Sequence, residues 1–270
     1  MTTGGDYVLG THDAEVARLG LQHRVWREPM LGAWQRAGLG AGWRVVDVGA
    51  GPGFATWDLA AAVGSDGEVL AVERSEKFVA AFKAEQERRG LKQVGLLEGD
   101  LMLIPAPSGY DMAWCRWVAS FTESVPRLVA WIHAALRPGG VAVFQEYSDY
   151  ATWKFVPPRP HHEAFKAEVM ASWRAAGGEP DVAPAVVREL RTAGFRIRSV
   201  RPHLFVTRPG EMTWQWPKAF VATNLARLVE LGRLSPEQSA AVAQEFAEIE
   251  ADEQSVMVTP IVLEVIAERD

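Results

Sequence analysis

Acidic side chains recur where apolar runs in this chain predict strand ends, and the first of them stands beside a glycine-rich turn. The run is Val45-Val46-Asp47-Val48-Gly49-Ala50-Gly51-Pro52-Gly53-Phe54. Its β-branched residues are those of a buried parallel strand. Three glycines at alternate positions follow, a spacing that lets the chain turn sharply and lets a ligand touch bare backbone. The apolar stretch from Phe54 to Val63 predicts a helix. Strand, glycine loop and helix make the nucleotide-binding unit of doubly wound α/β proteins. Two details argue against a dinucleotide. The third glycine comes one residue early, with Phe54 where it would stand. Asp47 would also repel a pyrophosphate held on the helix N-terminus. A carboxylate there suits a ligand that brings positive charge or amino and hydroxyl donors.

The elements that follow repeat this arrangement. Val69-Leu70-Ala71-Val72 predicts a strand ending in Glu73 and Arg74, where an acid can accept both hydroxyls of a ribose. Ser75 predicts the N-cap of a helix with Phe78, Val79 and Phe82 on one face, closed by Arg88, Arg89 and Gly90. Val94-Gly95-Leu96-Leu97 leads into Glu98-Gly99-Asp100-Leu101-Met102, and Tyr110–Trp114 into Cys115, Arg116 and Trp117. A helix around 126–136 ends in Arg137-Pro138-Gly139-Gly140, before strand Val141–Phe144 and Glu146. In a parallel sheet, Asp47, Glu73, Asp100, the Trp114–Trp117 segment and Glu146 all fall on one edge, where open α/β proteins bind ligands.

These residues together resemble the class I S-adenosylmethionine (SAM)-dependent methyltransferases, of the small-molecule type found in ubiquinone and menaquinone biosynthesis. The resemblance spans about residues 5–147 and resumes at about 181–207 and 255–268. It implies a Rossmann-like doubly wound α/β fold. The seven-stranded sheet would be mostly parallel, with the last strand antiparallel and helical insertions added. It implies SAM as cofactor, a sulfonium ligand without phosphate. The loop residues Asp47, Gly49, Ala50, Gly51 and Gly53 would cradle it. Glu73 and Arg74 would stand at the ribose. Gly99, Asp100, Leu101 and Met102 would stand at the adenine, and Cys115, Arg116 and Trp117 beside them. A leader, Tyr7-Val8-Leu9-Gly10 and later Leu19-Gly20-Leu21-Gln22, matches one that closes over the cofactor, through Tyr7 and Gln22. The last strand, Ile261–Ala267, follows Pro260, as suits an edge or a strand start.

One domain over 1–270 is expected. A helical cap (1–40) precedes the SAM-binding core (41–147). A lid or acceptor insertion (148–180), more core (181–208), a helical insertion (209–254) and the final strand (255–270) follow. The cap predicts a helix from Ala14 to Ala37 with Val16, Leu19, Trp26 and Met30 on its apolar stripe. The first insertion runs from Tyr147 through Tyr150, Trp153 and the Pro157–Pro160 breaker into a helix ending near Trp173. The second opens with Trp214, Trp216 and Phe220, then forms two helices divided near Ser235-Pro236. Tyr147, Tyr150, Trp153, Trp214 and Trp216 are candidate walls of an apolar acceptor pocket. Methyl transfer can be largely positional. A neutral acceptor also needs a base, for which Glu146, His161 and His162 are candidates, with Tyr150 as an orienting donor.

Composition narrows the class. Of 270 residues, 48% are hydrophobic and 23% charged, a globular balance. A net charge of −6 argues against a nucleic-acid substrate, and Arg188, Arg191, Arg196, Arg198 and Arg201 read as a solvated face. The single cysteine excludes an internal disulfide, and no metal-ligand spacing occurs. No secretory segment and no run of 18 apolar residues is present, so a cytoplasmic protein without membrane contact is expected. Expected partners are a small-molecule acceptor and, on the aromatic insertions, a second copy in a homodimer. Two alternatives stay open: a SAM-binding protein that does not methylate, and a nicotinamide-dependent oxidoreductase.

Overall fold

The alternation of apolar runs and glycine stops becomes an alternation of strands and helices. The computed structural model describes residues 13–270, so Tyr7 lies outside the described residues. Helix α1 (Asp13–Ala37) leads to β1 (Arg44–Val48), α2 (Phe54–Val63), β2 (Glu68–Glu73), α3 (Glu76–Arg89), β3 (Val94–Glu98), β4 (Tyr110–Arg116), α4 (Val125–Ala135) and β5 (Leu136–Asp149). Then come β6 (Lys154–Val156), α5 (Pro160–Ala175), α6 (Ala183–Thr192), β7 (Phe195–His203), β8 (Val206–Thr207), α7 (Met212–Glu230), α8 (Pro236–Ala251), β9 (Val256–Val258) and β10 (Ile261–Arg269). The expected caps form. Ser75 Oγ accepts from the Phe78 N–H, Gly90 closes α3 in the left-handed region, and Ser235 and Gln238 make a reciprocal capping box at α8.

The main sheet has the order β3-β2-β1-β4-β5-β10-β7. Strands β1 to β5 are parallel, and β10 runs antiparallel to both β5 and β7. The order reverses between β1 and β4, which opens a crevice at their carboxyl ends. Pro260 does precede the last strand. That strand is no edge, however, because β10 lies inside the sheet. A second, antiparallel sheet, β6-β9-β8, was not expected. Its strands of two or three residues are too short to show a period. No helix among the described residues is long and apolar enough to cross a membrane.

Helices α1 and α2 cover one sheet face, where Trp34, Trp57, Val143 and Ile266 share a buried cluster. Helices α4 and α6 cover the other, with Leu128, Ile132, Val186 and Phe144. A third, aromatic cluster joins α5, α7 and α8 to the carboxyl end of β5. Trp26, Met30 and Trp34, four residues apart, form the buried stripe of α1. Nearer its start the buried side chains are polar: Glu15, Arg18 and Gln22. Val16 and Leu19, predicted for that stripe, are only half-buried.

The far end of α1 is tied to the sheet by charge. Glu264 on β10 is fully buried and accepts from Arg36 Nε at 2.8 Å and from His203 Nε2 at 2.8 Å. Removing Arg36 would leave this buried carboxylate with His203 alone, and breaking a buried ion pair is costly. Arg36→Met should therefore lower stability by about 3 kcal/mol, seen as an earlier midpoint in urea-induced unfolding.

Candidate functional site

The glycine loop at the end of β1 is left-handed at each glycine, with φ of 67° at Gly49, 58° at Gly51 and 90° at Gly53. A Cβ on Gly49 would meet Val118 at 2.5 Å, and one on Gly53 would meet Phe82 at 2.6 Å. One on Gly51 would meet nothing within 4 Å. The loop is thus packed at both ends and open in the middle. Phe54, in place of a third spaced glycine, reaches α1. Its ring lies against Gly20 and stacks on His23 at 5.9 Å.

The acids of the strand ends are held by backbone donors. Glu73 accepts from the N–H groups of Gly51, Arg74 and Ser75, each at 2.8 Å, which fixes its carboxylate beside the loop. Asp100 accepts from the Met102 N–H at 2.8 Å and from Arg74 Nη1 at 2.9 Å. The Gly99 N–H donates to the Glu73 carbonyl, bringing the second and third acidic ends together. Asp47 is buried and accepts from Thr56 Oγ1 at 2.6 Å. Burial pushes its carboxyl up to about 6, against the Thr56 hydrogen bond and the Arg116 charge. Burial likewise raises the Cys115 thiol well above its usual value and takes Arg116 down to about 10.

Beneath Arg116 lies a fixed histidine. His23 Nδ1 is 3.3 Å from Arg116 Nη2, and His23 Nε2 is 3.1 Å from Asp58 Oδ2. A guanidinium can only donate, so Nδ1 accepts and Nε2 carries the proton toward Asp58. Burial keeps this imidazole below its ordinary pKa, in line with the neutral tautomer. Burial alone would raise Asp58, but hydrogen bonds from His23 and Arg27 take it down to about 2. The predicted residues at the ends of β1 to β4, from Asp47 to Trp117, are therefore gathered on one edge. Gln22 departs from the expected leader role. Its Oε1 accepts from Trp216 Nε1 and from Arg18 Nη1, both at 2.9 Å, on the side of the aromatic cluster.

Among the rings of that cluster is a small cavity of about 10 Å³, room for about one water. Tyr147, Tyr150, Trp153, Trp216 and Phe220 line it, and Pro217 and Pro260 complete the wall. Trp117 joins the cavity to the strand edge. Its backbone leaves β4 at a φ of 53°, rare for a bulky residue. Its ring stacks on Tyr147 at 5.7 Å and on Trp216 at 6.0 Å. Burial raises both phenols, Tyr147 and Tyr150, above their ordinary pKa.

Four predicted residues sit elsewhere. Trp214 does not line the cavity; it packs on Phe155 and Phe246 and donates to Glu250. His162 is buried among Trp153, Phe155 and Phe165, and burial takes its imidazole down to about 3. His161 is exposed, and its backbone N–H donates to Glu245. Neither histidine lines the cavity. Glu146 is buried, and its two oxygens accept from the N–H groups of Val118, Ala119 and Ser120 and from Ser120 Oγ. It therefore holds the turn after Trp117 and does not face an acceptor. Pro217 and Pro260 were not anticipated around the cavity.

Comparison with known proteins agrees with this edge. A family profile described as a methyltransferase domain matches residues 45–140. The demethylmenaquinone methyltransferase of Geobacillus kaustophilus (strain HTA426) is 26% identical over 196 residues, 68% of this chain and 82% of that protein. Nocamycin O-methyltransferase of Saccharothrix syringae is 28% identical over 218 residues, 75% of each. In fold, the chain is similar to the geranyl diphosphate C-methyltransferase of Streptomyces coelicolor A3(2), solved with S-adenosyl-L-homocysteine. That TM-score is 0.56, at 13% identity over 92% of this chain and 77% of that one. The nicotinamide alternative falls away.

The surroundings of Glu146 fix a pH response. Burial outweighs its four hydrogen bonds and pushes its carboxyl up to about 7. A folded pKa above the unfolded one means stability is full at low pH and is lost as pH rises through the folded value. Asp47 adds to the same trend, toward about 6. Glu146→Gln can still accept from Val118 and Ala119 and can donate to Ser120 Oγ. Urea unfolding of this variant from about pH 5 to about pH 7 should show a shallower loss of stability than the wild type.

Proposed function

We propose that this chain, which belongs to the class I SAM-dependent methyltransferases, methylates an apolar, aromatic small molecule held among Tyr147, Tyr150, Trp153 and Trp216, whose rings part to admit it. The observation that carries this reading is Trp117. It leaves the strand edge next to Arg116 and lays its ring on two cavity walls, which sets cofactor edge and cavity side by side.

The edge fits the cofactor. Gly51 offers bare backbone facing open space, and Glu73 offers a carboxylate already oriented by three N–H groups. A carboxylate has about four lone-pair sites, so three such bonds still leave room for one ribose hydroxyl. Asp100 and the Met102 backbone would meet the adenine. Asp47 supplies negative charge beneath the loop. Bound SAM supplies an activated methyl carbon on its sulfonium.

The chain's own part is placement. Stacked rings fix the plane of an aromatic acceptor and exclude water. Tyr147 and Tyr150, with raised pKa, stay protonated at neutral pH and can donate to an acceptor oxygen. With Glu146 and His162 engaged elsewhere, alignment supplies most of the rate; good alignment is worth up to about 7–11 kcal/mol.

Thermal unfolding tests the assignment. S-adenosylhomocysteine at about 100 times its Kd should stabilise the protein by about 2.7 kcal/mol, a rise of a few degrees, whereas NAD should give none. Glu73→Ala should abolish most of the rise. An undiminished rise in Glu73→Ala would place the cofactor elsewhere. Aromatic acceptors incubated with SAM should gain the mass of one methyl group, and unchanged masses across a broad panel would favour a non-methylating protein.

A further inference from the structure

Arg116 ends β4 one residue past the Val48–Cys115 register pair, so it flanks Gly49 on the cofactor edge. The residue is half-buried. Its guanidinium carbon lies 5.1 Å from the centre of the Trp117 ring and 5.7 Å from that of Trp114. Nη2 donates to His23 Nδ1 at 3.3 Å and Nη1 to Met30 Sδ at 3.6 Å. A guanidinium carries five N–H donors in a fixed fork. The remaining ones meet no protein acceptor, and no carboxylate pairs with the group, among the described residues. Asp47 accepts from Thr56, and Asp58 from His23 and Arg27. A cation withdrawn from water without a paired carboxylate is costly, and a bound anion would offset that cost.

The sheet order says which anion. Asp100, Glu73, the glycine loop and Arg116 follow β3, β2, β1 and β4, which lie side by side in that order. With adenine at Asp100 and ribose at Glu73, the end of SAM that arrives at β4 is its amino-acid end. The carboxylate there is the one anionic group of SAM, and a guanidinium fork matches it. We propose that Arg116 binds the carboxylate at the amino-acid end of the cofactor, and that His23 is the positioning residue that holds its fork. This inference rests on the cofactor edge described above. Neutral His23 turns a lone pair at Nδ1 toward Nη2, and Asp58 fixes the ring by accepting from Nε2. A proton on Nδ1 would set donor against donor and cation against cation, and would turn the fork away. The charged groups around His23 are Asp58 on α2, Arg27 on its own helix and Arg116 on β4. Burial, helped by Arg116 and Arg27, keeps it neutral against the pull of Asp58.

Isothermal titration of the full chain tests this with S-adenosylhomocysteine and S-adenosyl-3-thiopropylamine, the same molecule without its carboxylate. At about pH 7.5 the wild type should bind S-adenosylhomocysteine about tenfold or more tighter than the amine. Equal affinities overturn the proposal with no variant needed. Arg116→Met should bind both compounds as the wild type binds the amine, and Arg116→Lys should recover part of the preference. A loss in Arg116→Met that falls equally on both compounds makes Arg116 structural and overturns its role. The wild-type preference should shrink from about pH 7.5 to about pH 5.5. In His23→Asn it should hold steady, because the amide oxygen accepts in place of Nδ1 and takes no proton. Asp47 titrates in both proteins, so the comparison isolates His23. A preference that shrinks as much in His23→Asn overturns the positioning role. A wild type that binds neither compound overturns the cofactor edge itself.

Discussion

Helix α1 is fixed on the sheet by polar pairs spread along its length, and both halves of the site depend on where it lies. Gln22 holds α7 through Trp216, His23 and Arg27 hold α2 through Asp58, and Arg36 holds β10 through Glu264. Lifting the helix would take Arg36 from the buried Glu264 and leave His203 as its partner, a costly loss in the interior. Trp26, Met30 and Trp34 supply adhesion, but apolar packing tolerates sliding. Charge pairs with fixed forks do not.

The acids of the sheet edge divide into two kinds under this constraint. Glu73, though buried, is held by backbone N–H groups beside the open middle of the glycine loop, and Asp100 is half-buried and held by the Met102 N–H. Asp47 and Glu146 are buried deeper, Asp47 accepting from Thr56 on α2 and Glu146 from the turn after Trp117. One pair can meet a ligand, while the other keeps the walls in shape. The same division holds among the aromatic residues. Trp216 faces the cavity and Trp214 faces α8, as two residues about 200° apart on a helix must.

Much of the edge was legible because it rests on local chemistry. Three alternate glycines have few conformations open to them other than a left-handed loop, Glu73 ends an unambiguous apolar run, and Ser75, Gly90 and Ser235 are strong boundary signals. The buried charge of α1 was hidden because an apolar stripe is what periodicity looks for. Glu15, Arg18 and Gln22 follow the same spacing with polar side chains, and their partner Trp216 is distant in sequence. Glu146 was misread because its partners are backbone N–H groups, which no residue type announces. The small sheet left no trace in two-residue and three-residue strands.

The interior position of β10 bears on how the chain assembles. Strands β1 to β5 find their neighbours across short crossovers, so the cofactor half can form from segments close in sequence. Strand β7 has no place in that sheet until β10 arrives, after two intervening helices. Until then β5 presents a long apolar run with an open row of backbone donors and acceptors, the kind of edge that recruits a strand from another molecule. The step most exposed to misassembly is thus the insertion of one strand into a gap, late and far from the glycine loop.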